Sequence, residues 1–292
     1  MELKRNIDEI IAIYDLETSV KDIYVEGNRD KSFFQWIIGT GIDSRSEIYS
    51  ADDICVPDEI LCKYGLHHGS NRNKIIATSL AIADSLPNCN NAIFIVDKDY
   101  TSYLKENISS PLLRFTDYNS LELYSLNECV IRKLMALVYG RFTSTLPSFY
   151  YEMQQILKSL YAIRLTSIML EWNLTWLDFD KYIKVNQSVD FNEDKYIEAY
   201  LNKNSKLGEK KCFYDELIRI KASLDSDSRM SCRGHDFTAL LMYIMNKKYP
   251  RRKIENLEAF EGFLIGLIDK VDLLSEKLIG EVYKFSGYSE AI

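Results

Sequence analysis

None of the six cysteines belongs to a CxxC pair. They stand at 55, 62, 89, 129, 212 and 232, too scattered for a disulfide framework, and read as reduced, mostly core residues. Cys62 with His67 and His68 looks like half of a zinc site, but no second ligand pair follows at finger-like spacing, so zinc is not expected there. The N-terminus "MELKRNIDEI" lacks the apolar core of a signal peptide, and no uncharged run approaches the roughly 20 residues that a membrane helix requires. A cytoplasmic protein with no membrane contact is expected. Repeats, low-complexity tracts and Gly/Pro-rich linkers are also missing, so the two halves of the chain are expected to pack as one compact body. Excess positive charge is absent too. A net charge of −7 argues against a protein that coats duplex nucleic acid, because that mode needs a broad basic face. It does not exclude a nuclease, whose metal site is itself acidic.

What is present is a chain of 292 residues, 47% hydrophobic, enough for one large core or two modest ones. Ile7, Ile10, Ile11 and Tyr14 recur at helical intervals. "DIYVEG" is then a brief apolar run closed by Gly27, and "DKSFFQWIIG" returns to a helical pattern through Phe33, Phe34, Ile37 and Ile38. "EIYSA" reads as a short strand and "NKIIATSLAIADSL" as a helix. Ala92 to Val96 form an uninterrupted apolar strand of the kind buried on both faces of a parallel sheet. "LLRFTDYNSLELYSL" adds one more strand before the helix "NECVIRKLMALVYG". Single strands alternating with helices predict an α/β layer with a parallel sheet flanked by helices over residues 1–140. Residues 141–292 carry helical apolar spacing almost throughout and predict a mainly helical second half.

In an open parallel sheet, ligands bind beyond the carboxyl ends of the strands. The acids at those ends are Glu26 after the first strand, Asp97 and Asp99 after the strong one, and Asp117 and Glu122 after the next. Asp97 and Asp99 are two apart, so in extended chain they face the same way while Lys98 points aside. Such a pair can share one hard cation, and Mg²⁺ holds on through a few carboxylates plus a substrate phosphate. Gly27 is expected to let the backbone turn tightly beside Glu26. Asp30 sits where a helix should begin, as a cap or as a further acid of the site.

"YVEGNRDKSFF" followed by "FIVDKDY" resembles the Toprim domain shared by topoisomerases, DnaG-type primases and the overcoming-lysogenization-defect nucleases. "TDYNSLELYSL" and "RGHDFTALL" are similar to Toprim-like DUF4435 proteins, some of which are nuclease effectors of PARIS-type anti-phage defence. The resemblance implies metal-dependent phosphodiester cleavage, with Mg²⁺ or Mn²⁺ held by Glu26, Asp97 and Asp99. Glu122 and Asp30 would be further catalytic acids, Glu122 matching the acid of the family's S-x-E-x-Y stretch. It also implies an ABC-type ATPase partner, a homodimeric active form and RNA as target, tRNA favoured over DNA. A DNA nuclease of the overcoming-lysogenization-defect type, and a module that binds metal or nucleotide without cleaving, are the competing readings.

Two groups of basic residues are candidates for substrate contact. Arg72 and Lys74 in "GSNRNK" can reach a phosphate from a helix N-terminus. Lys248, Tyr249, Arg251 and Arg252 form a compact cluster in "KKYPRRK", suited to a folded RNA whose unstacked bases lie against the tyrosine. His235 is expected to fix the C-terminal half through hydrogen bonds, or to cap its helix together with Asp236.

Overall fold

In the first hundred residues, short apolar runs alternate with amphipathic stretches, and the computed structural model converts each run into a strand of one sheet. It describes residues 4–39, 46–104, 108–140 and 146–287. Helix α1 (Ile7–Leu16) leads into β1 (Lys21–Val25), α2 (Asn28–Ile38), β2 (Ser46–Ser50), α3 (Asn71–Ser85), β3 (Ala92–Val96) and β4 (Leu113–Phe115). The four strands lie in the order β2-β1-β3-β4, every neighbour parallel. Central strands buried on both faces explain the unbroken apolar runs: Ile23, Tyr24, Val25 and Phe94 are all essentially inaccessible. Tyr24 and Phe94 are paired across β1 and β3, their rings stacked 4.5 Å apart.

At its amino end the sheet holds a buried polar group that the fold has to satisfy. Asp22, 2% exposed, accepts hydrogen bonds from the Tyr14 hydroxyl at 2.8 Å and from Arg5 at 3.1 Å. Those partners offset the cost of burying a carboxyl group.

The chain divides into two compact units, one of Met1–Asp117 with Asp269–Ile292, the other of Tyr118–Ile268. The sequence pattern put a boundary after residue 140, next to residues 141–145, which lie outside the described residues; the observed division falls earlier, after Asp117. The closing segment belongs to the first unit, and there the Asp117 carboxylate accepts the Leu278 backbone N–H, at 3.1 Å and 3.3 Å to its two oxygens. This caps the helix Lys277–Phe285.

The second unit is helical, as its spacing predicts. Its longest helix, Leu146–Met169, buries Phe149, Met153, Ile156, Leu160 and Ile163 at alternating steps of four and three residues. The helices Glu128–Leu134, Glu193–Lys203, Lys210–Ser223, Gly234–Lys248 and Leu257–Gly266 accompany it. The ambiguous stretch near residue 180 supplies a strand, Ile183–Val185, in an antiparallel hairpin with Val189–Phe191. Among the described residues no helix is long and apolar enough to cross a membrane.

Candidate active site

The strand order locates a crevice. The chain passes from β1 outward to β2, then returns through α3 to β3 on the other side of β1, so the order reverses between β1 and β3. In open α/β sheets the crevice outside the carboxyl ends at such a reversal is where ligands bind. Glu26 follows β1 and Asp97 follows β3. The register pairs Asp22 with Ala92 and Tyr24 with Phe94, and continuing that offset sets Glu26 beside the end of β3. There its Oε1 accepts the Asp97 backbone N–H at 2.8 Å.

Glu26 is half-buried and its carboxyl is pushed up to about 7. Burial is the main cause. The Asp97 amide opposes it, the negative charges of Asp99 and Asp30 add to it, and Arg72 opposes it again. Three of the acids expected at this edge are therefore electrostatically coupled to one another's neighbourhood through Glu26. Asp30 also has a structural duty: its Oδ2 accepts the Gly27 N–H at 3.0 Å, at the start of α2.

Two local expectations are corrected. Gly27 has φ −140° and ψ 169°, an extended backbone that any residue adopts, so no special glycine turn stands beside Glu26. Asp97 and Asp99 are not alternate residues of an extended strand, because β3 ends at Val96 and Asp99 has a left-handed φ of 46°. Lys98 does turn aside, as expected, donating from Nζ to the Asp117 carbonyl at 2.7 Å. Asp117, expected among the site acids, spends its carboxylate on the helix cap described above.

Arg72 and Lys74 lie in the first turn of α3, whose Ser70 cap accepts the Asn73 N–H. The Arg72 guanidinium donates to Thr101 Oγ1 at 2.9 Å and to the Asp97 carbonyl at 3.5 Å, which fixes a positive group at the acidic edge. Lys74 is half-buried on the same turn. His68 lies between Cys62, 3.8 Å from Nε2, and Asp58, 2.8 Å from Nδ1, so its two ring nitrogens serve different partners.

The remaining candidates belong to the second unit. Glu122, 9% exposed, lies in a short 3₁₀ turn, Leu121–Ser125. With His235 and Glu261 it forms a group of potential ligand atoms all within 4.8 Å of one another. Asp236 does not cap its helix; it grips Arg164 through two hydrogen bonds of 3.0 Å and 3.1 Å. Glu261 was not singled out from sequence, although a signal existed: it stands in the apolar stripe Leu257, Phe260, Leu264, Ile265 and is 2% exposed.

The basic cluster is partly committed to packing. Tyr249 lies 4.6 Å from the Tyr139 ring, Lys248 sits over Phe149, and Arg252 donates to the Val138 carbonyl at 2.7 Å. One side of the Tyr249 ring is therefore taken by a protein ring. Lys247 and Arg251 are exposed.

No family model matches the chain, and no curated protein matches it. The geometry of the two units therefore stands as the basis for a functional reading.

Proposed function

We propose that the chain is a Toprim-type, metal-dependent nuclease that cleaves RNA, with tRNA the favoured substrate, as the toxic arm of an anti-phage defence system. The observation that carries the reading is the Glu26 to Asp97 hydrogen bond at the strand-order reversal, with Asp99 and Asp30 adding negative charge to the same spot. The donor set suits a hard divalent cation, because Glu26 is difficult to ionise beside those acids until a positive charge joins them. Glu26, Asp97 and Asp99 would hold Mg²⁺ or Mn²⁺, which when bound would neutralise phosphate charge and acidify water.

The chain's own groups supply the rest. Where Glu26 does not itself hold the ion, its raised pKa suits it instead to take a proton from the attacking water. Arg72, oriented by Thr101, is suited to offset negative charge on a phosphate at the same edge. Binding of a structured RNA falls to exposed cations such as Lys247 and Arg251, since a compact cluster fits a small, shaped phosphate surface better than a long duplex. A nuclease directed at host RNA needs restraint, and an ABC-type ATPase partner is the proposed source of it. A homodimer in the cytoplasm is the proposed active form.

The test is cleavage of total tRNA and of supercoiled plasmid by purified protein with Mg²⁺, with and without the co-expressed ATPase. Nicking of a subset of tRNAs near a loop with intact plasmid is expected. Glu26→Ala and Asp97→Ala should each lower the rate by about 1,000-fold or more without loss of solubility. Linearised plasmid beside intact tRNA would overturn the substrate, and undiminished cleavage by Asp97→Ala would overturn the site.

A further inference from the structure

The first unit carries a nucleophile, a base and a carboxylate in line, none of which the chemistry above uses. Cys62, on the short helix Asp58–Lys63, has its Sγ 3.8 Å from His68 Nε2, and His68 Nδ1 lies 2.8 Å from Asp58 Oδ1 on the same helix. A carboxylate only accepts, so the Asp58 contact places the ring proton on Nδ1 and leaves the Nε2 lone pair facing the thiol. Carboxylate, imidazole and thiol in that order are the arrangement that draws a proton from a nucleophile. A metal does not explain them, because Asp58 and Cys62 engage opposite nitrogens of one ring and a single ion takes only one of the two.

The segment that presents the imidazole is anchored on both sides of it. Leu66 donates its N–H to the Leu61 carbonyl at 2.9 Å and packs, partly buried, against the core. The His67 carbonyl accepts Asn73 Nδ2 at 2.9 Å, which ties the loop to the first turn of α3. Gly65 and Gly69 bracket the segment with left-handed φ of 67° and 81°, conformations that a glycine adopts at no steric cost. The base is thus held in place before any reagent arrives. Cys62 itself is exposed. Among the described residues Cys55, Cys129 and Cys212 are exposed too, but none of them makes a hydrogen bond to an imidazole.

From this constellation we propose that Cys62, His68 and Asp58 form a nucleophilic thiol site that exchanges with small disulfides. Nε2 takes the thiol proton as Sγ attacks one sulfur of the disulfide. A new S–S bond joins Cys62 to half of the reagent, the old S–S bond breaks, and the departing thiolate takes the proton from Nε2. Cys62 is oxidised and the departing half is reduced, so the disulfide itself is the oxidant. Exchange of this kind needs only a thiolate and an accessible partner, which suits an exposed sulfur with one base beside it. Asp58 acts through the ring and is a positioning residue.

The experiment treats the full chain with glutathione disulfide, and separately with uncharged iodoacetamide, and follows each cysteine by peptide mass mapping. Its readout is the mass added at each sulfur, independent of any nuclease activity. With both reagents Cys62 should react about 10-fold faster or more than Cys55, Cys129 and Cys212. His68→Ala should bring Cys62 down to their rate while leaving theirs and the circular dichroism unchanged, and free imidazole in the buffer should restore part of the lost rate at Cys62 alone. Asp58→Asn should spread the ring proton over both nitrogens in ¹⁵N spectra and slow Cys62 by about 3-fold or more. The inference is overturned if Cys62 reacts no faster than the other exposed cysteines, or if His68→Ala leaves its rate intact or lowers all four rates alike. It is equally overturned if Asp58→Asn alters neither the spectrum nor the rate.

Discussion

At the carboxyl edge of the sheet, Glu26 accepts one backbone amide and faces the negative charge of Asp99 and Asp30. In the helical unit, Glu122 and Glu261 flank an imidazole whose own pKa is raised, chiefly by its hydrogen bond to Glu261. The first arrangement concentrates charge of one sign at the mouth of a crevice. The second builds a ligand of the opposite character into the cluster itself. Their origins differ as well. Strand register brings Glu26 to Asp97, and a strand end is a local feature. Helix packing brings Glu122 to Glu261, and no local pattern announces it. Charge of one sign gathered at a strand end disfavours its own ionisation, whereas the imidazole of the second cluster already meets a carboxylate.

The sharpest way to break this comparison is through the two glycines that border the sites. A Cβ at Gly234 would meet Ser120 Oγ, Glu122 Oε2 and, at 3.0 Å, Glu122 Cβ, and those two side chains are buried with little room to retreat. Gly234→Ala is therefore expected to cost about 2–3 kcal/mol by overpacking. A Cβ at Gly27 would find its nearest neighbour, Asp30 Oδ2, at 3.7 Å, and the backbone there is ordinary, so Gly27→Ala should cost less than about 0.5 kcal/mol. Urea denaturation of the two variants measures the contrast. Equal losses would mean that the helical cluster is not tightly packed around its glycine.

Glu26 offers the next effect in size, through pH. Its folded pKa of about 7 lies above the ordinary 4.5. The associated stability is fully present below the unfolded value and is lost as pH rises through about 7. In chelated buffer the protein should therefore lose about 2–3 kcal/mol more than Glu26→Gln between pH 5 and pH 8. Added Mg²⁺ at pH 8 should recover part of that loss in the unsubstituted chain and none in the variant. Denaturation curves at both pH values decide it: parallel behaviour of the two proteins would show that Glu26 ionises without penalty.

These contrasts also explain what could be read in advance. The strands were legible because β1 and β3 are buried on both faces, which forces unbroken apolar runs, and Glu26 and Asp97 follow directly from where those runs stop. The turn at Asp99 was not legible, since a single left-handed residue leaves no mark in an aspartate. Nor was the use of Asp117 as a cap for a helix that begins at Lys277, because that contact depends on how the chain returns to its first unit. Glu261 interrupts an apolar helical stripe, which marks it as a buried acid. Its partners are far away in sequence and became visible only when the helices packed. The basic cluster was legible as charge but not as geometry, for the carbonyl that Arg252 meets belongs to Val138, 114 residues away in sequence.

That last point supports the smallest and most discriminating pair of variants. Arg252 donates to the Val138 carbonyl at 2.7 Å, in the π-helical turn Met135–Tyr139 that ends at Gly140 with a left-handed φ of 63°. Carbonyls at a helix end lack partners within the helix, so a cation there supplies one. Arg252→Ala should therefore cost about 1 kcal/mol of stability, the usual net worth of one such hydrogen bond on an exposed surface. Arg251 is exposed on the same short 3₁₀ turn, Pro250–Arg252. Its removal should leave stability within about 0.5 kcal/mol, while lowering the affinity for tRNA and reducing the salt dependence by about one phosphate contact. Neighbouring arginines would then separate cleanly, one by melting temperature and the other by the slope of affinity against salt. If Arg252→Ala instead weakens tRNA binding with no loss of stability, the hydrogen bond to Val138 gives way on binding and both side chains face the phosphates.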